Sequence, residues 1–187
     1  EAIFAFGSGY SNLSNLVTNQ GVVGSDQTGV GTARDYLAAT SYGGDKAIFG
    51  YGNIYSGGYI IYSLKNLVSN QGVVATDGTA RSLLAAATYG EDKSIFAYGY
   101  TGSNVSMSNL VSNSGVVAAD VTGVGTARRA SSGSGYGGDK GVFAYGYSSA
   151  NVSLKNLVNN SGVIAADVTG VGTARNGVAA AGYSTSA

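Results

Sequence analysis

Residues 81–100 read RSLLAAATYGEDKSIFAYGY, and how this stretch divides decides the fold. A small-residue segment ending in Tyr89 is followed by Gly-Glu-Asp-Lys and then by an aliphatic–aromatic segment ending in Gly99. No apolar period of 3.6 residues runs through either half, so no helix is predicted. Two short β-favouring segments around a Gly-containing turn read instead as a β-hairpin. The second segment places Phe96 and Tyr98 on one face, with Ile95, Ala97 and Gly99 on the other. Neither face is polar, which predicts a strand buried on both sides.

The same phrase recurs along the chain. YGxDK falls at 42–46, 89–93 and 136–140, and GTAR ends at Arg34, Arg81, Arg128 and Arg175, each a step of 47 residues. The triplet NLV begins at Asn15, Asn66, Asn109 and Asn156, in steps of 51, 43 and 47. Its uneven spacing reflects an insertion around NIYSGGYIIY (53–62) and a deletion before the clipped DGTAR (77–81). Length changes confined to the stretches between shared segments mark loops.

Each unit reads as four short strands. In the third unit the second, third and fourth strands are SIFAYGY (94–100), VSMSNLVS (105–112) and GVVAADV (115–121), and the next first strand follows Arg128. Turns such as SNSG and TNQG suit tight hairpins. Four-stranded units of this length, buried on two faces by their neighbours, describe an all-β fold, a β-propeller of antiparallel blades. The whole chain is then one domain, with repeats at about 1–46, 47–93, 94–140 and 141–187. It opens on a second strand and ends on a first strand, so pairing of residues 2–6 with 178–183 closes four blades. Two other arrangements fit the same pattern: a second chain completing a larger ring, or a piece of a longer array.

The pattern R-x-x-L-A-A-A-x-Y-G-x-D-K-x-I-F-A-Y-G, carried by residues 81–99, resembles the kelch repeat. It also resembles the kelch-like arrays of phage and environmental bacterial proteins. The likeness spans essentially the whole chain and departs in two respects: one Gly stands where kelch strands end in a pair, and Trp is absent. The resemblance implies a binding or assembly role on a virion or cell surface, and so an extracellular or virion location.

Composition removes several function classes. The chain has neither His nor Cys, which excludes Ser-His-Asp and Cys-His catalysis, disulfides and the common zinc sites. Ten basic and ten acidic residues cancel, so there is no basic excess for nucleic acid. No run reaches the length of a membrane span. The acidic residues sit in Asp-Lys turns rather than in a convergent set, and no enzyme, cofactor or metal is expected. Low net charge makes a homo-oligomer plausible on physical grounds.

The candidate site follows from strand alternation. The fourth-to-first and second-to-third connections share one face of a propeller, and this is the face that differs most among the units. It holds Tyr55, Tyr59, Tyr62, Tyr100 and Tyr147 in or beside the second-to-third loops, with Arg34, Arg81, Arg128 and Arg175 ending GTAR. Tyrosines on loops are common recognition elements. The arginines have two readings: bonds to backbone carbonyls or to Asp26, Asp77, Asp120 or Asp167, or a guanidinium ring for carboxylates or phosphates. Asp35, Ser82, Arg129 and Asn176, which follow them, are expected at the mouth of a central channel. The expected function is therefore a non-enzymatic recognition module for a protein or glycan ligand. The alternative is a structural spacer, decoration or tail-fibre component.

Overall fold

In the computed structural model, residues 2–28, 31–68 and 79–183 are described. They form thirteen short strands in small antiparallel sheets, and no helix. The first unit holds β1 (Ala2–Gly7) and β2 (Ser11–Val17). The second holds β3 (Ala38–Tyr42), β4 (Lys46–Gly50), the hairpin β5 (Asn53–Tyr55) and β6 (Tyr59–Ile61), and β7 (Lys65–Val68). The third holds β8 (Ala85–Tyr89), β9 (Lys93–Ala97) and β10 (Ser108–Val111); the fourth, β11 (Ser132–Tyr136), β12 (Lys140–Ala144) and β13 (Lys155–Val158). Sheet orders β3-β4-β7, β8-β9-β10 and β11-β12-β13 repeat one meander, and β1-β2 is the same sheet without its first strand.

The predicted hairpin forms with Ala85–Tyr89 opposite Lys93–Ala97. Alanine favours helix in isolation, yet the Ala-rich run is extended, because only small side chains fit between neighbouring units. In register, each second-strand Phe faces a small first-strand residue: Ala39↔Phe49, Ala86↔Phe96 and Gly133↔Phe143. Burial then follows the unit interfaces. Ile48, Tyr51 and Phe96 join Val111 and Val117 in one cluster; Ile95, Tyr98 and Phe143 join Val158 and Ile164 in the other.

Two expectations about these strands are corrected. Phe96 and Tyr98 do not share a face. Tyr51, Tyr98 and Tyr145 have φ of 68°, 63° and 61°, just past their strands, and this left-handed residue breaks the alternation. Phe96 therefore packs back on Tyr51 (centroids 5.2 Å apart), whereas Tyr98 packs forward on Phe143 (5.6 Å). The fourth segments, moreover, are not continuous strands. Each is held by two bridges, Val111↔Val117 with Ser108↔Val121 and Val158↔Ile164 with Lys155↔Val168, with one extra residue on the fourth segment. The corresponding segment of the second unit, and Asp77 and Gly78 of DGTAR, lie outside the described residues.

Backbone hydrogen bonds tie each unit to the next. Leu83 N donates to Tyr36 O (3.0 Å), Ala130 N to Leu83 O (2.8 Å) and Gly177 N to Ala130 O (2.9 Å). At the opposite end of the first strands, Gly43 N donates to Asp92 O (2.6 Å) and Gly90 N to Asp139 O (2.7 Å). The expected closing pair does not form. Among the described residues β1 pairs with β2 alone, and no sheet closes. Residues 178–183 continue the stack instead, Gly182 lying against Gly135 as Gly135 lies against Thr88.

Candidate functional site

The GTAR phrase is a clasp between units. Arg34, Arg81 and Arg128 are fully buried. Each guanidinium donates to the Asn of the following unit's NLV triplet: Arg34 Nη2 to Asn66 Oδ1 (2.7 Å), Arg128 Nη2 to Asn156 Oδ1 (2.7 Å), and Arg81 Nη2 to Asn109 Oδ1. Each also stacks on an aromatic ring of its own unit, Arg34 over Phe6 (4.3 Å), Arg81 over Tyr51 (4.7 Å) and Arg128 over Tyr98 (3.8 Å). Carbonyl oxygens take further N–H groups, such as Tyr51 O from Arg34 Nε (2.5 Å) and Met107 O from Arg81 Nη1 (2.9 Å). Burial lowers the Arg34 pKa to about 10, opposed by the nearby Tyr62, and leaves it cationic at neutral pH. Arg81 Nε and Arg128 Nε have no partner among the described residues, yet full burial keeps all three arginines from presenting an open fork to a ligand. Arg175 is exposed: it donates to Thr173 O (3.3 Å) and lies 4.1 Å over Tyr145.

The same Asn and an Asp complete the clasp. Asn156 Nδ2 donates to Ala165 O and Asp167 Oδ1 (both 3.0 Å), filling the bulge of its fourth segment. Asp167 Oδ2 accepts Thr126 N (2.9 Å) and Thr126 Oγ1 (2.6 Å) from the unit before. Burial alone would raise the Asp167 carboxyl; hydrogen bonds from Thr126 and Asn156, with Arg128 nearby, outweigh it and lower its pKa. Asp120 is lowered in the same way by Thr79, Asn109 and Arg81. The glycine of GTAR is required by this contact. Gly125 has φ of +81°, and a Cβ there would meet Asn156 Nδ2 at 2.7 Å and collide with Asp167 Oδ1.

The tyrosine loops form a different surface. The insertion of the second unit is the β5–β6 hairpin, with Tyr55 opposite Tyr59 and their rings edge to face at 5.3 Å. In the third and fourth units the hairpin shrinks to single bridges, Tyr100↔Asn104 and Tyr147↔Asn151. Tyr55 and Tyr59 are 56% and 72% exposed, while Tyr62, Tyr100 and Tyr147 are half-buried. Tyr62 serves the backbone, its N donating to Gly52 O (2.8 Å) and its O accepting from Arg81 N (3.3 Å).

Two of the five tyrosines meet in one cavity of about 290 Å³, between the second and third units. Its walls include Tyr36, Tyr59 and Tyr100, with Asn53, Ser82 and Arg129 as the polar lining. Arg129 sits between the rings of Tyr100 (5.1 Å) and Tyr147 (4.8 Å) and donates to Asn104 Oδ1 (3.1 Å). Asn53 is buried, and its Nδ2 has no partner among the described residues. A buried amide donor without a partner is costly, and it marks Asn53 as a strained polar element of the cavity wall. Of the four residues expected at a channel mouth, Ser82 and Arg129 line this cavity. Asp35, whose carboxyl pKa is raised by burial, lies in a neighbouring one, and Asn176 bonds Asn151 Oδ1 (2.6 Å).

Tyr36 escaped the sequence reading. A signal for it existed, since Tyr36 stands where the other units have Leu83, Ala130 and Gly177, all at positive φ. Comparison with protein-family models and with curated proteins gives no match.

Proposed function

We propose that the chain is a non-enzymatic recognition module of β-propeller type, which binds a glycan of a cell surface at the tyrosine-lined cavity. The propeller reading is supported by the wedge shape of the units. First strands approach so closely that Gly133 admits no Cβ beside Ala86 O, whereas second strands are held apart by whole aromatic rings. Units narrow at one edge fan about an axis. First-strand residues of the second, third and fourth units, with Gly182 and Tyr183, line one cavity of about 470 Å³, as the wall of a propeller's channel would.

The single observation carrying the ligand reading is the cavity of Tyr36, Tyr59, Tyr100, Asn53 and Arg129. Its volume is near the lower end for small-ligand pockets, about 300–1,000 Å³. Aromatic walls suit the C–H faces of a sugar ring, and the Asn53 amide and Arg129 guanidinium suit its hydroxyls. No His or Cys is present for Ser-His-Asp, Cys-His or thiolate-metal chemistry, and no cluster of three acidic residues gathers among the described residues.

The test is a glycan array with the intact chain and with Tyr59→Ala and Tyr100→Ala. Loss of one aromatic wall corresponds to roughly tenfold weaker binding, about 1.4 kcal/mol. Equal binding by both variants and the parent would remove the site from this cavity, and absence of any glycan binding by the parent would remove the ligand class.

A further inference from the structure

Arg129 is the one charged side chain in the wall of the tyrosine-lined cavity. It directly follows the buried Arg128, yet its guanidinium is employed differently. Among the described residues it has no ion pair. Asp35, which holds the same position in the second unit, lines the neighbouring cavity and not this one. Of the four residues at this position, Asp35, Ser82, Arg129 and Asn176, only Arg129 is cationic, so the joint between units does not require a cation there.

A guanidinium has five N–H donors, and the fold uses few of them here. Arg129 Nη1 donates to Asn104 Oδ1 (3.1 Å). Nε and Nη2 donate to nothing among the described residues, and unlike Arg81 Nε and Arg128 Nε they are not sealed from solvent. These two nitrogens carry parallel N–H groups along one edge, a fork that matches the two oxygens of a carboxylate. The flanking rings of Tyr100 (5.1 Å) and Tyr147 (4.8 Å) hold the guanidinium plane before any ligand arrives, which reduces the ordering cost of binding. Tyr36 adds a second sign of a built site. Its φ is +51° and its ring is 56% exposed, so the left-handed strain of a bulky residue is met by little burial. Leu83, Ala130 and Gly177 meet the same backbone requirement in the other units, and strain of this kind gathers at ligand sites.

Given a glycan in this cavity, as proposed above, we infer that it carries a carboxylate: a uronic or sialic acid residue whose carboxylate lies on the Nε–Nη2 edge of Arg129 and whose ring lies against Tyr36, Tyr59 and Tyr100. Hydrogen bonds from a guanidinium to a carboxylate are roughly twice as strong as those between neutral groups. No acidic side chain lines the wall to oppose such a ligand. One planar edge satisfies both oxygens of a carboxylate, whereas the third oxygen of a sulfate would call for a further cation, and the wall holds none.

The test compares binding of the intact chain to glycans ending in a uronic or sialic acid with binding to the carboxamide of each, which keeps the shape and removes the charge. The acid should bind about tenfold more tightly. Arg129→Gln should bring that ratio close to one, Arg129→Lys should keep part of it, and Tyr59→Ala should weaken acid and carboxamide alike with the ratio unchanged. The first comparison uses the parent chain, so it stands even where a variant fails to fold. Equal binding of acid and carboxamide, both weakened by Tyr59→Ala, would overturn the carboxylate and leave the glycan reading in place. Tighter binding of a sulfated sugar than of its carboxylate counterpart, or an acid preference that survives in a folded Arg129→Gln, would also overturn it. Binding of no glycan by the parent would overturn both readings together.

Discussion

Arg128 and Arg175 occupy the same position of the same phrase and differ in one respect: a following unit covers Arg128. Replacing each by Ala isolates what the clasp contributes. Arg128 loses a charged hydrogen bond to Asn156 (2.7 Å), worth about 1.5–3 kcal/mol, and a desolvated stack on Tyr98 (3.8 Å), worth about 2 kcal/mol. It also loses weaker contacts with Thr126 O (3.3 Å) and Asp167 (3.9 Å). Recovery of guanidinium hydration offsets part of the sum, which leaves about 3–5 kcal/mol net. Arg175 loses one exposed hydrogen bond and an exposed stack, together about 0.5–1 kcal/mol.

For a chain of this size 1 kcal/mol corresponds to about 2–4 °C in Tm. The expected outcome is therefore a Tm lowered by roughly 6–20 °C for Arg128→Ala and by only about 1–4 °C for Arg175→Ala. The assay is thermal unfolding followed by circular dichroism at low micromolar concentration, where single chains are compared. Arg128→Lys keeps the charge but loses the planar fork and the stack, so it should fall between. Equal losses for Arg128→Ala and Arg175→Ala would refute the clasp, because they would mean that the following unit adds nothing to the arginine.

Two further outcomes follow from the same contacts. Gly125→Ala forces a Cβ into Asp167 and Asn156 and should cost more than about 2 kcal/mol, whereas Gly138→Ala, at a similar φ of +83° with open space around it, carries only the left-handed strain of about 1 kcal/mol; matching denaturant midpoints would show that backbone strain alone decides. On pH, the lowered carboxyls of Asp120 and Asp167 contribute stability above the ordinary carboxylate pKa of about 4 that is lost as pH falls below it. Tyr98, pushed up to about 12 by burial, contributes stability that is complete below about pH 10 and lost as pH rises through 12. Urea titrations across both windows should show a plateau between them, and removal of the acid limb by Asp120→Asn with Asp167→Asn would confirm its source.

Much of the fold was legible because the chain repeats it. Four copies of one pattern separate shared segments from variable ones, and the hairpin of residues 85–97 falls where the turn chemistry places it. Alternation failed at Tyr51, Tyr98 and Tyr145, because a non-glycine residue at positive φ leaves no signal in composition. It is held there by tertiary contacts: the Tyr51 hydroxyl donates to Asn109 Oδ1 (2.9 Å), and Arg128 covers Tyr98. The fourth strand was overdrawn for a related reason. Hydrophobic pattern cannot show that the Asn109 and Asn156 side chains replace ladder bonds at a bulge.

The arginines show why a motif's chemistry depends on depth. On the sequence, a Gly-rich phrase ending in Arg fits an anion site as well as it fits a joint. Burial decides between them: Arg81 Nε and Arg128 Nε lack a partner among the described residues, but a fully buried guanidinium with carbonyl, Asn and ring contacts around it is sealed from a phosphate. Asn15, Asn66, Asn109 and Asn156 were only markers of period in the sequence, yet Asn66, Asn109 and Asn156 hold the clasps. Uniform positions build joints in this chain, and the positions where one unit differs from the others, Tyr36, Asn53, Tyr59 and Arg129, gather at the cavity. A repeat protein separates its two tasks in this way because each joint must be compatible with the next, whereas a loop on the open face has no counterpart to match. Divergence among copies within one chain therefore points to the proposed binding surface, and recurrence points to the scaffold.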